Sequence, residues 1–184
     1  MNHVLIQLGG KLCYFDGAMG TILQEKGLQP GELPELWGIS HREEIVAIHR
    51  TYLEAGADFL KANTFGANRF KLEGSGHTVA EVVTAGIENA LQAAKTCGRG
   101  TVFLDIGPTG KLLRPLGDLD FEDAVSAFGE MIRVGTMAGA EAILIETMTD
   151  IYEAKAALLA AKENSDLPVF VTMTFDQDGK LLTG

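Results

Sequence analysis

A carboxylate, Glu146, directly follows the apolar run Ala142–Ile145, which is typical of a buried strand. A charge at the end of a buried strand must be paired or reach water, because an unpaired buried charge is costly or shifts its own pKa. Three partners could satisfy it: a cationic group of a ligand, a basic side chain such as Lys61, or the N-terminus of the following helix. The residue could therefore be a ligand-binding group or a structural one.

A glycine-rich segment, DGAMGT at 16–21, follows the first apolar run of the chain. Asp-Gly is a common turn, and Gly20 could simply relax the loop. Two glycines also let the backbone come close to a ligand, where free N–H groups could hold a carboxylate. The segment is therefore either an ordinary turn or part of a site for an anionic group.

Polar residues also follow the second and third apolar runs. Asn63 and Thr64 follow ADFLKA, and GPTG at 107–110 follows TVFLDI. Such residues commonly cap turns, and GPTGK lacks the earlier Gly and the following Ser or Thr of a phosphate-binding P-loop. Cys13 and Cys97 are too far apart for a CxxC site. No metal site within the chain is predicted.

Short apolar runs alternate with longer stretches of helical periodicity along the chain. Strands are predicted at 12–16, 57–63, 101–106, 141–146 and 168–175. Helices are predicted near 41–55, 78–96 and 120–138, and along the stripe Ile151, Ala154, Leu158 and Ala161. This order indicates an α/β fold with a parallel sheet, either doubly wound or closed into a barrel.

Each predicted strand ends in polar residues that its own apolar run does not predict. In a (β/α) barrel such ends meet at one mouth, where active sites lie. A barrel of this kind needs eight strands and roughly 250 residues, whereas the chain has 184 residues and five predicted strands. The pattern favours the first five strands of a barrel.

Composition excludes several classes of function. The net charge is −10 and basic residues do not cluster, which argues against binding nucleic acid or an anionic membrane surface. No apolar run reaches the roughly 18 residues of a membrane span, and the N-terminus lacks the features of a signal peptide. We expect a cytoplasmic protein with one domain over residues 1–184.

The order of the motifs is more specific than any one of them. DGAMGT, NTFGAN, DIGPTG and ET follow consecutive predicted strands, and together they resemble the zinc-dependent homocysteine S-methyltransferase family. The stretches VAIHRTYLEAGADFLKANTFGANRFKL and MTFDQDGKLLTG are similar to the homocysteine-binding barrel of the cobalamin-dependent methionine synthase branch. The resemblance runs from about residue 10 to residue 184.

The resemblance implies a (β/α)8 TIM barrel that binds homocysteine at its C-terminal mouth, with this chain as the N-terminal part of that domain. In the family, acidic residues matching Asp16 and Glu146 lie near the substrate ammonium, and backbone matching Gly17 to Gly20 lies near its carboxylate. The predicted substrate-binding residues are Asp16, Gly17, Ala18, Met19, Gly20, Thr21, Asn63, Thr64 and Glu146.

The resemblance also implies cofactors. In that family, zinc would hold the homocysteine thiol as a thiolate, and methylcobalamin would supply the methyl group. The family holds zinc with three cysteines that follow strands 6 and 8, and neither Cys13 nor Cys97 matches them. We therefore expect zinc, cobalamin and folate- and cobalamin-binding domains in a full-length parent, and neither cofactor nor activity in these 184 residues alone.

Two alternatives stay open. The methyl donor could be betaine, S-methylmethionine or another methyl-corrinoid, because the motifs concern only the acceptor. The chain could instead be a non-catalytic half-barrel that self-associates through open strand edges. In an open barrel, inner apolar residues such as Phe103 and Leu144 would be exposed unless another chain covers them.

Overall fold

Four parallel strands form one sheet in the computed structural model, which describes residues 3–10 and 12–183. In chain order and in sheet order they are β1 Phe59–Lys61, β2 Thr101–Ile106, β3 Ala142–Met148 and β4 Val169–Met173. The helices are α1 His3–Leu8, α2 Met19–Glu25, a 3-10 helix Pro34–Leu36, α3 Trp37–Ser40, α4 Arg42–Glu54, α5 Val79–Cys97, α6 Phe121–Ala138 and α7 Ile151–Asn164. The bounds of the predicted domain, residues 1 and 184, lie outside the described residues.

The four long helices confirm the helical periods in the sequence. Helix α5 begins with a capping box, in which Thr78 Oγ1 accepts the Glu81 N–H at 3.2 Å and the Glu81 carboxylate accepts the Thr78 N–H at 2.8 Å. It ends at Gly98, whose φ of 65° suits a residue without a side chain. The Asp150 carboxylate caps α7 by accepting the Tyr152 N–H at 2.7 Å. Local capping thus sets where these helices begin and end.

The two faces of the sheet carry different side chains, because successive residues of a strand point to opposite faces. The outer face packs against the long helices and carries Leu60, Val102, Leu104, Ile143 and Ile145. The inner face carries Phe59, Phe103, Ala142 and Leu144. Each strand therefore contributes to two separate apolar clusters.

The inner face is covered, which corrects the expectation that Phe103 and Leu144 would be exposed. Phe103 is 0% exposed and Leu144 3%. Val4 of α1 packs into this cluster, and Phe15 and Phe170 flank the Phe103 ring with centroids 4.9 and 5.3 Å away. The N-terminal helix and these aromatic rings of the same chain cover the inner face.

The predicted first strand, 12–16, is wrong as a strand. Only Phe15 forms a parallel bridge, to Phe59. On both sides of this bridge, a side-chain carboxylate accepts a backbone N–H that a regular ladder would pair with a backbone carbonyl. Asp58 accepts the Tyr14 N–H at 3.1 Å, and Asp16 accepts the Lys61 N–H at 3.1 Å. The segment runs beside β1 but does not form a regular ladder.

The first 40 residues contain helices that the sequence patterns did not predict. The segment DGAMGT is not a simple turn, because α2 begins at Met19 within it. The remaining strands are found, but the second and the fifth are shorter than predicted. After the second, the Thr64 N–H turns back to the Ala62 carbonyl at 2.7 Å. Within the part of the chain that the structure describes, no helix is long and apolar enough to cross a membrane.

Candidate functional site

A cavity of about 230 Å³ opens at the carboxyl ends of β1, β2 and β3. The residues that line it are Asp16, Gly17, Met19, Gly20, Pro34, Glu35, Lys61, Ala62, Asn63, Phe65, Asp105, Glu146 and Thr147. Four of them are acidic and one is a lysine. The cavity therefore suits a ligand with a cationic group.

Strand alternation places three of these charged residues on the inner face. Lys61, Asp105 and Glu146 each lie two positions after an inner-face residue of the same strand. Those inner-face residues are Phe59, Phe103 and Leu144. The inner face thus has an apolar layer and, one step nearer the mouth, a charged layer.

The strongest polar contact of the charged layer is an ion pair. Lys61 Nζ lies 2.9 Å from Glu146 Oε1 and 3.4 Å from Glu146 Oε2. Burial alone would lower the pKa of the Lys61 ammonium, but the hydrogen bond to Glu146 and the surrounding carboxylates raise it above its ordinary value. The lysine is therefore a fixed positive charge within the site.

Asp16 is buried beside this pair. Its Oδ2 accepts the Lys61 N–H at 3.1 Å, and its Oδ1 has no hydrogen-bond partner in the described structure. Burial raises the pKa of the Asp16 carboxyl from 3.8 to about 7. Behind it lies the fully buried His49, with Nδ1 3.9 Å from Asp16 Oδ2, and burial lowers the pKa of His49 to about 4. Near neutral pH, Asp16 can thus hold or release a proton, while His49 is uncharged.

Asp105 is held by its backbone, and its carboxyl group also forms a hydrogen bond with the Glu146 carboxylate. Its N–H donates to Thr64 Oγ1 at 3.2 Å, and its carbonyl accepts the Thr64 hydroxyl at 2.8 Å. Burial, followed by the nearby Glu146 carboxylate, raises the pKa of Asp105 well above its ordinary value. Its Oδ1 is buried and finds no donor among the described residues.

A loop closes one wall of the cavity. Asn63 Nδ2 donates to the Pro34 carbonyl at 2.8 Å, and Glu35 Oε1 accepts the Gly66 N–H at 2.7 Å. These bonds tie the 3-10 helix to the segment that follows β1. Glu35 is thus used in holding the wall in place.

The glycines on the opposite wall have different surroundings. A Cβ at Gly17 would lie 2.7 Å from Tyr52 Oη, and that hydroxyl donates to the Ala18 carbonyl at 2.9 Å. A Cβ at Gly20 would meet no atom within 4 Å. Gly17 is required for close packing, whereas Gly20 leaves open space at the cavity wall.

Backbone strain occurs next to Glu146. Thr147 has a φ of 61°, a region that β-branched residues rarely adopt, and its N–H donates to Thr172 Oγ1 at 2.9 Å. The register between β3 and β4 also shifts between Ile145 and Met148. Strained residues of this kind cluster at functional sites, and here the strain lies where β3 reaches the cavity.

The structure brings most of the predicted site residues together. Six of them line the cavity: Asp16, Gly17, Met19, Gly20, Asn63 and Glu146. The other three do not line it. Thr64 is buried against the Asp105 backbone, the Ala18 carbonyl is used by Tyr52, and Thr21 is exposed. The predicted role of Thr64 and Thr21 as direct ligands has no support from this geometry, whereas the bond at Ala18 involves its carbonyl and not its backbone N–H.

Both structural alternatives for Glu146 are now decided. The pairing with Lys61 is confirmed, and Asp150, not Glu146, caps the following helix. Sequence reasoning did not select Lys61, Asp105, Glu35 or Thr147 as site residues. The strand alternation that follows Phe59 and Phe103 could have indicated Lys61 and Asp105; nothing comparable marks Glu35.

Known proteins match nearly the whole chain. Methionine synthase of Mycobacterium leprae is 30% identical over 202 aligned residues, and that of Mycobacterium tuberculosis is 32% identical over 200. Each alignment covers all of this chain but only 16% and 17% of those proteins, respectively. The chain therefore spans a small part of the length of these curated relatives.

Solved structures show the fold. The homocysteine methyltransferase MmuM from Escherichia coli, in its oxidized form, matches with a TM-score of 0.80 at 20% identity, covering 95% of this chain and 68% of that one. Its metallated form matches with a TM-score of 0.75. The sheet described above is thus part of a TIM barrel. The family model for homocysteine S-methyltransferase matches residues 13–184, and the chain belongs to that family.

Proposed function

We propose that this domain binds homocysteine in the cavity at the carboxyl ends of its strands, as the methyl acceptor of a methionine synthase whose donor is methylcobalamin. Membership of the family supports homocysteine as the ligand, and the similarity to methionine synthases supports the reaction. The observation that carries the proposal is the convergence of Asp16, Asp105 and Glu146 on one cavity. An amino acid brings a second positive charge, beside that of Lys61, to a wall with more carboxylates than cations.

The residues of this chain bind and orient the ligand. Glu146 and Asp16 are proposed to accept hydrogen bonds from the ligand ammonium, since hydrogen bonds to charged groups are among the stronger polar contacts. The backbone between Gly17 and Gly20, which leads into α2, is proposed to face the ligand carboxylate. This arrangement leaves the thiol end of the ligand free to point away from the charged layer.

The described residues do not form a zinc site. Among residues 3–10 and 12–183, no group of three His, Cys, Asp or Glu side chains could hold a metal ion. Cys13 packs against the inner-face cluster, and Cys97 is the last residue of α5. The described residues therefore do not fit a zinc ion by themselves, and zinc and cobalamin remain expectations for a full-length parent.

The setting of the protein is likewise a proposal. We infer a cytoplasmic enzyme whose folate- and cobalamin-binding domains would meet this barrel, without nucleic acid or membrane partners. The net charge of −10 supports the exclusion of nucleic acid. Self-association through open strand edges is also proposed, at β4, whose Val171 is exposed.

Replacing Glu146 by glutamine tests the role of this carboxylate. The affinity of the purified protein for L-homocysteine should fall by about 1.5–3 kcal/mol, the contribution of a hydrogen bond to a charged group. Thermal unfolding should change little, because the glutamine amide oxygen can still accept the hydrogen bond from Lys61 Nζ. Titration calorimetry measures the first quantity and calorimetric melting the second.

The matched control is Glu122→Gln, at an exposed position of α6. It should leave both quantities unchanged. If Glu146→Gln binds homocysteine normally but melts much earlier, Glu146 has a structural role and the proposed ligand contact is wrong.

Replacing Gly20 by alanine tests the predicted carboxylate contact. The added methyl group has open space, and alanine favours the α2 helix by up to about 1 kcal/mol, so the protein should not lose stability. A methyl group at the wall should nevertheless weaken homocysteine binding roughly tenfold, because ligand pockets discriminate single methylenes on this scale. Gly17→Ala is the contrasting variant: its Cβ would push Tyr52 away, and it should lower the melting temperature. If Gly20→Ala binds homocysteine as tightly as wild type, the ligand carboxylate binds in another part of the cavity.

A further inference from the structure

Two buried carboxyl oxygens in the cavity wall have no donor. They are Asp16 Oδ1 and Asp105 Oδ1, and their residues are only 9% and 5% exposed. A buried acceptor without a donor is destabilising, and native structures satisfy most such groups. Both residues line the same cavity, so a donor that enters it could satisfy both oxygens.

The one lysine of the cavity wall is already engaged. The Lys61 ammonium contacts both oxygens of Glu146, and its backbone N–H donates to Asp16 Oδ2, the other oxygen of that carboxyl. The donorless oxygens therefore belong to the two acidic residues that Lys61 Nζ does not contact. A second positive charge is the complement that this arrangement lacks.

We propose that Asp105 is a ligand-binding residue which, together with Asp16, receives the ammonium group of the amino acid ligand. The inference rests on the proposed function and adds a residue to its site. An ammonium group has three N–H donors, enough for Asp16 Oδ1, Asp105 Oδ1 and one oxygen of Glu146. Asp105 then determines specificity, because it distinguishes an amino acid from an analogue without the amino group.

A release of protons follows from the same geometry. Burial raises the pKa of both Asp16 and Asp105 in the empty site, and the arrival of an ammonium group favours their charged forms, so that binding releases protons. The titratable groups around this pair are Lys61 from β1, Glu146 from β3, His49 and Tyr52 from α4, and Glu35 of the 3-10 helix, which lines the same cavity. Since His49 is uncharged near neutral pH, the released protons pass to the solvent. Affinity for the amino acid should therefore rise with pH up to and beyond about 7.

The test compares Asp105→Asn with the wild-type protein by titration calorimetry, using L-homocysteine and 4-mercaptobutanoate, which keeps the thiol and the carboxylate but has no amino group. The variant should bind homocysteine roughly 10- to 100-fold more weakly. Its affinity for the analogue should change less than about twofold. Because the backbone bonds to Thr64 remain and a buried ionisable group is removed, the melting temperature should not fall.

A second measurement does not depend on the variant. Titrations near pH 7 in two buffers of different ionisation enthalpy give the number of protons released, and the wild-type protein should release more with homocysteine than with the analogue. Equal proton release for both ligands would falsify the proposal. So would an Asp105→Asn variant that binds homocysteine as tightly as wild type, or one that loses both ligands equally. Wild-type protein without any affinity for homocysteine would overturn the proposed function itself.

Discussion

Replacing Phe103 by alanine is expected to lower the free energy of unfolding by about 3–5 kcal/mol, the usual cost of removing a buried aromatic side chain. Phe103 is fully buried and lies at the centre of the inner face. Its ring centroid is 4.9 Å from that of Phe15, 5.1 Å from Phe59 and 5.3 Å from Phe170. The truncation would remove the contact that joins segment 12–16, β1 and β4 across the sheet.

Chemical denaturation of the variant and the wild-type protein measures this loss. The control is Phe175→Ala, which makes the same change at a residue that is 55% exposed, and it should cost less than about 1 kcal/mol. Equal losses for the two variants would show that the inner-face aromatic cluster is not a source of stability.

Replacing Asp16 by asparagine is expected to stabilise the fold at alkaline pH and to weaken the ligand site. The pKa of Asp16 is about 7 in the folded protein and 3.8 as a free group. The folded state therefore holds a proton that the unfolded state has lost, and stability falls as pH rises from about 4 to 7. At about 1.4 kcal/mol per pH unit, the cost reaches about 4 kcal/mol above pH 7. Asparagine carries no such cost.

Unfolding measured at pH 4 and at pH 8 tests this expectation. The gain in stability of Asp16→Asn should be large at pH 8 and nearly absent at pH 4, whereas Asp118→Asn, at an exposed position, should show no such pH dependence. The variant should also bind homocysteine more weakly, because the proposed ammonium contact is lost. A variant that is less stable than wild type at pH 8 would mean that ionised Asp16 is satisfied by the folded protein.

The long helices and inner strands could be predicted because their signals are local. Helix α5 is marked by its apolar stripe, by the Thr78 cap and by Gly98 at its end. Strands β2 and β3 are continuous apolar runs. The segment at 12–16 has the same local signal, yet its regular pairing with β1 is interrupted. The Asp16 carboxylate accepts the Lys61 N–H, and the Asp58 carboxylate accepts the Tyr14 N–H. Such contacts depend on the fold and are not visible in the periodicity.

The candidate site was predictable to a similar extent. Asp16 and Glu146 stand at the ends of apolar runs, where a charge needs an explanation, and both line the cavity. Asp105 occupies an equivalent position, but its significance depends on burial and on the absence of a donor for Oδ1. Glu35 lies in the 3-10 helix, and its bond to the Gly66 N–H fixes the position of that helix at the cavity wall. Sequence spacing contains no information on that position.

The layered inner face has a consequence for how this barrel could evolve. The apolar layer around Phe103 and the charged layer of Lys61, Asp105 and Glu146 occupy alternate positions of the same strands, so their residues can mutate independently. A substitution in the charged layer would change which ligand charge is accepted, while the aromatic layer beneath keeps its packing. Different ligands could thus be selected by single changes near the mouth, while the packing of the aromatic layer is kept.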